Sequence, residues 1–355
     1  MVKIEDLDNL ERMGEVDPSG MLGVVADTPE MLSAASTIAP TFPLKNIKKV
    51  RQVVVAGMGG SAISGDIVAG LMLGSAPLPV FVNRDYRLPA FVGRETVVFA
   101  LSYSGNTEET LSAVKDAEKK GASVVCVTSG GKLKEIAQAN GYPAYLIPSG
   151  YQPRAAMPFL LVPLLRALDE LGLVSGVQEQ VDRAVELLRK LRGRYGPEKT
   201  LRSNPVKQLA KKMAEKIPVI FGVQGTTAAV AHRLKTQLNE NSKVTALSNA
   251  FPELNHNEIV NLSALKRGEH DFCLVFLRDE GDAERVKKRI EITKSLIGTQ
   301  LGGVNEVASQ GKEPLERILS LIYFGDLLSV YLAVLRGVDP TPVEIISRLK
   351  KELMR

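Results

Sequence analysis

The sequence predicts an α/β fold of two tandem modules, each a parallel sheet flanked by helices. Short, continuously apolar runs alternate with segments of helical periodicity, the pattern of strands buried on both faces. The alternation begins near Val50, pauses over a long helical stretch and restarts at Ile217. At each start an apolar strand runs into G-x-x-G and then a helix opened by small residues: VVVAGMGGSAIS and VIFGVQGTTAAV. Gly57 and Gly60 answer to Gly222 and Gly225, and Ser61 to Thr226, which marks two copies of one module. A length of 355 residues fits two domains of about 150 each.

Residues 1–50 read as a helical lead-in with breaks at Pro18, Gly20 and Pro40. The first module takes residues 51–195. Its strands are VVVAG (53–57), PVFVN (79–83), TVVFALS (96–102), ASVVCVTS (122–129) and YLIP (145–148). Its helices are SAISGDIVAGLML, EETLSAVKDAEKKG, KLKEIAQANG and a stretch from Ala155 to Arg194, broken near Gly172 and Gly176. The second module, 196–336, reads as strands IPVIFG, KVTAL, FCLVFLRD and VNEVAS, with helices TAAVAHRLKTQLNE, AERVKKRIEITKSLI and 314–336. A Pro/Asn-rich segment, NAFPELNHNEIVN, interrupts it after KVTAL, and a last segment, 337–355, follows at GVDPTP.

Hydrophobic residues make up 45% and charged residues 24%, which supplies a core and excludes a disordered chain. No apolar run reaches the ~20 residues of a membrane span; 318–335 contains Asp326 and reads as a buried helix, so no membrane partner is expected. The N-terminus is acidic and periodic, without an apolar signal core, so a cytoplasmic protein is expected. Cys126 and Cys273 each sit in an apolar strand, against a disulfide framework or a Cys-built zinc site. Lys and Arg total 45 against 40 Asp and Glu, and cations such as Lys287, Lys288 and Arg289 fall on solvated helix faces. With no Trp and few aromatics, nucleic acid is not an expected partner, whereas phosphorylated small molecules suit a mild positive excess.

GMGGSA can be parsed as a dinucleotide turn, yet the next strand ends in Asn83 and Arg84 rather than in the acid that would hold a ribose. Close strand–helix packing explains the glycines equally well. The third strand says more. ALSYSGNTEET places Ser102, Ser104 and Thr107, with Gly105 and Asn106, in a strand-to-helix turn. Hydroxyls and backbone N–H groups at a positive helix end can hold a phosphate monoester without a metal or cofactor. Capping would explain one hydroxyl, not three at the carboxyl end of a parallel strand.

SYSGNTEET after G-x-G-G-S-A resembles the sugar isomerase (SIS) fold, which implies two SIS-type, flavodoxin-like modules. With the tandem repeat, the segments QPRAAMPFLL, LNENSK and ELNHNEI resemble the bifunctional phosphoglucose/phosphomannose isomerases, from about Val53 to the C-terminus. The resemblance implies interconversion of glucose 6-phosphate and mannose 6-phosphate with fructose 6-phosphate through a cis-enediol. It places phosphate contacts at Gly60, Ser61, Ser102, Ser104 and Thr107, in one pocket per chain, since the second module's FLRDEGD lacks such hydroxyls.

Isomerisation needs a base, an acid to open the ring and a cation for the enediolate. Glu240, at the end of a helix, reads alone as a solvated carboxylate; the resemblance makes it the base. Of His232, His256 and His270, His256 lies in a polar loop suited to proton transfer. The resemblance gives it ring opening, delivered across a homodimer interface, while Asn255 reads as a helix N-cap. Arg154, a cation unfavourably placed at a helix start, would stabilise the enediolate. Thr341 and Lys350 are the matches for a threonine that leaves room for both carbon-2 epimers and a lysine that joins the site, so 337–355 would complete it; Arg348 and Lys351 compete with Lys350. Two other classes compete: a non-catalytic phosphosugar sensor, which would carry a basic recognition helix, and an aminosugar-phosphate isomerase, which would carry a glutamine-hydrolysing domain. A nicotinamide-dependent oxidoreductase is a remote third.

Overall fold

The computed structural model describes residues 7–264, 271–297 and 303–353. They divide into two compact units. One takes 27–188 with 311–319; the other takes the described residues up to Ala26, Arg189–Gln310 and those from Ser320 onward. The helical lead-in is thereby shared: Leu10–Val16 and Met21–Ala26 go with the second unit, Thr28–Ala35 with the first. Buried Asp17 fixes the start of the middle helix, accepting from the N–H groups of Met21 and Leu22 at 2.8 and 2.7 Å.

The first unit is built on five parallel strands: β1 (Gln52–Ala56), β2 (Val80–Asn83), β3 (Thr96–Leu101), β4 (Ser123–Thr128) and β5 (Ala144–Leu146). Their order is β2-β1-β3-β4-β5, the flavodoxin-like arrangement. Chain direction across the sheet reverses between β1 and β3, so the turns leaving those two strands face the crevice where such folds bind ligands. Every residue of β3 is buried, as its unbroken apolar run requires. Val54, Val98 and Cys126 pack there against Ala113, Val114 and Ala117 of the helix Glu108–Lys120. Burial pushes the Cys126 thiol up to about 12, which leaves it inert. In the helix Gly60–Met72, a Cβ on Gly65 would lie 2.9 Å from Val55 Cγ1, so glycine there permits the close helix–strand approach.

The second unit repeats the plan with four parallel strands: β6 (Ile217–Val223), β7 (Leu247–Phe251), β8 (Phe272–Arg278) and β9 (Val304–Ala308), in the order β7-β6-β8-β9. Strand β7 corrects the sequence reading, which placed it on KVTAL. Lys243 adopts a left-handed backbone (φ +53°) and turns the chain, so pairing begins only at Leu247, opposite Val219. What anchors β7 is Phe251, whose ring lies 6.2 Å from Phe221 and 5.5 Å from Phe276 in a buried aromatic cluster.

The helix Pro314–Arg336 is long and apolar enough to cross a membrane, but is buried within the protein. Its interrupting charge is matched internally. Arg233 donates to Asp326 through Nε at 3.0 Å and Nη2 at 2.6 Å, and Gln237 donates to it at 3.1 Å. Burial pushes this carboxyl upward, and the adjoining guanidinium pulls it back.

Candidate active site

Ser102, at the carboxyl end of β3, is buried, and its hydroxyl lies 2.8 Å from that of Thr107. Thr107 immediately precedes the helix Glu108–Lys120, yet its side chain makes no capping bond. Turned toward Ser102, it leaves the helix's first-turn amides uncovered by a cap, which is why capping does not account for this hydroxyl. Gly105 has φ +68° and donates its N–H to the Ser102 carbonyl at 3.1 Å, while exposed Ser104 accepts from the Asn106 N–H at 3.3 Å. The turn thus gathers three hydroxyls around a positive helix end.

A second turn, which the sequence reading missed, braces the first. Ser129 donates its hydroxyl to the Tyr103 carbonyl at 2.6 Å, Lys132 its N–H to Asn106 Oδ1 at 3.1 Å, and Leu133 its N–H to the Gly105 carbonyl at 2.9 Å. A Cβ on Gly105 would collide with the Gly130 carbonyl, and one on Gly131 would come within 2.5 Å of the Ser104 carbonyl. The available signal was the paired glycine after β4, in TSGGK.

The turn after β1 lies alongside. Ser61 is buried in the first turn of Gly60–Met72. A Cβ on Gly57 would sit 3.0 Å from the Leu101 carbonyl, and one on Gly60 would sit 3.3 Å from the Pro153 carbonyl and 3.5 Å from Arg154 Cα. Gly60 is therefore packed onto the backbone of Pro153 and Arg154, the latter only 3% exposed. The sequence put Arg154 at a helix start; the helix begins at Met157, and Arg154 belongs to the turn before it.

In the second unit the equivalent turns are filled by the chain itself. Thr226, the counterpart of Ser61, donates to Asp282 Oδ1 at 2.6 Å, and the Asp279 N–H donates to Asp282 Oδ2 at 3.0 Å. Asp279 in turn accepts from the Gly281 N–H and the Ser309 hydroxyl, both at 2.7 Å. Burial pushes the Asp282 carboxyl above its ordinary range, against the pull of the Thr226 and Asp279 bonds. Carboxylates stand here where the first unit presents hydroxyls.

Glu240 is half-buried at the end of the helix Ala228–Glu240. Lys243 clasps that end: its Nζ donates to the Glu240 carbonyl at 2.9 Å and to the Asp339 carbonyl at 2.7 Å. Asp339 also accepts from the Thr341 N–H at 2.8 Å, so the structure brings Glu240 and the Thr341 segment together through one lysine. Asn241 and Ser242 hold the same end to Ser329, at 2.8 and 2.5 Å. Lys350, Arg348 and Lys351 are exposed on Glu344–Leu353, a helix with no buried side chain. His256 is exposed at the end of a short 3-10 helix, Glu253–His256, and among the described hydrogen bonds none joins it to Glu240. His232 is exposed on its helix, and His270 lies outside the described residues. Asn255 is not an N-cap, since the next helix starts at Glu258 and the Asn255 amide donates to Thr293 at 2.9 Å; Asn257 bonds the Glu258 N–H instead.

Known proteins match along the whole of this architecture. Residues 46–147 match the SIS domain family, and 202–353 the bacterial phospho-glucose isomerase C-terminal SIS domain. The bifunctional phosphoglucose/phosphomannose isomerase of Caldicellulosiruptor bescii is 46% identical over 94% of this chain and 98% of its own. The D-glucosamine-6-phosphate 4-epimerase of Sulfolobus acidocaldarius is 31% identical over 87% of this chain and 91% of its own. Among solved structures, the C-terminal domain of glucosamine-fructose-6-phosphate aminotransferase from Francisella tularensis shares the fold, with a TM-score of 0.70 at 15% identity over 90% of this chain and 97% of that one. With two SIS modules and relatives this similar over nearly its full length, the chain belongs to the family of bifunctional phosphoglucose/phosphomannose isomerases.

Proposed function

We propose that the protein interconverts glucose 6-phosphate and mannose 6-phosphate with fructose 6-phosphate through a cis-enediol. The observation that carries this reading is the turn after β3, where Ser102, Ser104 and Thr107 gather hydroxyls at an uncapped helix start. An anionic monoester suits both the positive helix end and those donors. In this reading Gly60 and Ser61 complete the phosphate contacts, and Glu240 moves the proton between carbons 1 and 2. His256 opens the ring, and Arg154 stabilises the enediolate. Thr341 leaves room for either carbon-2 epimer, and Lys350 adds a cation. His256, being exposed in one chain, serves the partner subunit of a homodimer, and the enzyme works in the cytoplasm.

The test is a coupled assay for fructose 6-phosphate from each aldose phosphate in the presence of EDTA, with Glu240→Gln as control. Turnover of both substrates that falls at least a hundredfold in the variant supports the reading; near-normal turnover of Glu240→Gln ends it. Mixing Glu240→Gln with His256→Ala chains should restore part of the activity if the histidine acts across subunits. The relative named as a 4-epimerase favours one second reading, epimerisation of glucosamine 6-phosphate. Incubation with that compound and analysis for the galacto product decides between them.

A further inference from the structure

The second unit holds a cavity of about 360 Å³ beside the segment that carries His256. One wall is the helix Glu284–Ile297, which turns Arg285, Lys288, Arg289, Ile292 and Thr293 toward it; Asn255 and Ile259 close the other side. This volume falls within the ~300–1,000 Å³ of small-molecule sites. The sequence alone reads the helix's cations as a solvated face.

Two features do not fit that reading. The helix contains two carboxylates, and both are committed elsewhere: Glu284 to Lys287 at 2.8 Å, and Glu291 to Arg278 and Lys294 at 2.7 and 3.1 Å. Among the described residues no carboxylate pairs with Arg285, Lys288 or Arg289. Like charges at i,i+3 and i,i+4 repel, so this face carries an uncompensated positive cluster at the mouth of a concave surface. The second feature is Asn255. Its amide donates to Thr293, whose own hydroxyl donates to the Arg289 carbonyl at 2.8 Å. That fixes the amide's orientation and leaves Asn255 Oδ1 buried with no donor. A buried acceptor without a partner is costly, because it has lost its bond to water and gained none in exchange.

We infer that this cavity is a second anion site, separate from the Ser102–Thr107 turn, that takes a phosphorylated polyol or sugar. The phosphate sits among Arg285, Lys288 and Arg289, a small shift of the Asn255 side chain brings its buried Oδ1 to the cavity wall to accept from a ligand hydroxyl, and the carbon skeleton lies between Ile259 and Ile292. Asn255 directly precedes His256, so an occupant would hold the segment that presents the imidazole. Any effect on turnover rests on the role proposed above for His256; binding itself does not.

The full chain, labelled at isoleucine δ1 methyls, is titrated with sn-glycerol 3-phosphate and with inorganic phosphate. Ile259 and Ile292 signals are assigned from their valine variants. A Ser102→Ala/Thr107→Ala background removes binding at the other turn. Saturable shifts of both methyls are expected in that background, with glycerol phosphate at least fivefold tighter than phosphate. Asn255→Ala should bring the two ligands within twofold, and Lys288→Glu/Arg289→Glu should weaken both at least tenfold. Arg285→Gln, a milder change on an exposed helix, should weaken them about threefold. Absent shifts, or shifts that survive the charge reversal in a chain with native far-ultraviolet dichroism, overturn the site. Equal affinity for the two ligands overturns the role of Asn255.

Discussion

Thr226 donates its hydroxyl to Asp282 across 2.6 Å, in the turn of the second unit that corresponds to the one holding Ser61 in the first. The second unit thus keeps an anion of its own at that point. Asp282→Ala would leave the Thr226 hydroxyl and the Asp279 N–H short of an acceptor inside the protein. A loss of about 1–3 kcal/mol is expected in urea unfolding.

Asp282 also sets a pH dependence. Burial holds its carboxyl above the ordinary value of 3.8. Its stabilising contribution is therefore complete below that value and declines as pH rises through the raised one. Asp282→Asn does not titrate there. The stability gap between wild type and Asp282→Asn should be widest near about pH 4 and narrow toward neutrality. Denaturation midpoints of both proteins across that range check the sign.

Ser102→Ala and Thr107→Ala each remove a hydroxyl from the proposed phosphate turn. Hydrogen bonds to a charged group are worth about 1.5–3 kcal/mol, so KM for the phosphosugar should rise roughly tenfold or more. Because the two hydroxyls also bond each other at 2.8 Å, the double variant should cost less than the sum of the singles. Steady-state kinetics of the cycle measures this.

Gly105 and Gly59 separate two roles of glycine. Both have positive φ, but a Cβ would strike the Gly130 carbonyl at Gly105 and meet nothing within 4 Å at Gly59. Gly59→Ala should cost about 1–3 kcal/mol, the backbone term alone, since φ +50° with ψ −124° is a conformation that L side chains rarely adopt. Gly105→Ala should cost distinctly more and also impair substrate binding, since it displaces the turn itself. Chemical denaturation with ligand titration separates the two.

Asp326→Leu should destabilise by about 3–5 kcal/mol, because it strands the Arg233 guanidinium in the interior. Arg233→Met/Asp326→Leu should recover most of that loss. A double-mutant cycle in guanidinium tests the prediction.

Strands buried along their length were legible in the sequence, β3 most plainly, because an unbroken apolar run has few other readings at that length. β7 was not, since LSNAF is half-exposed and polar while KVTAL, which looks more strand-like, contributes only its last residue, Leu247, to the ladder. The Ser102–Thr107 turn was legible because its parts are contiguous. The Lys243 clasp was hidden, as its partner Asp339 lies 96 residues away, and so was the Asn255–Thr293 bond, across 38 residues. Sequence periodicity reports which face of an element is buried and not which distant side chain meets it.

Residues 311–319 open the helix Pro314–Arg336 in the company of the first unit, while the rest of that helix counts with the second, as do two lead-in helices. A gene fragment ending after residue 188 would thus encode a first unit short of one piece, and the complementary fragment a second unit short of its opening helices. Recombination that trades single modules between relatives would face the same penalty, so the pair is expected to be inherited whole.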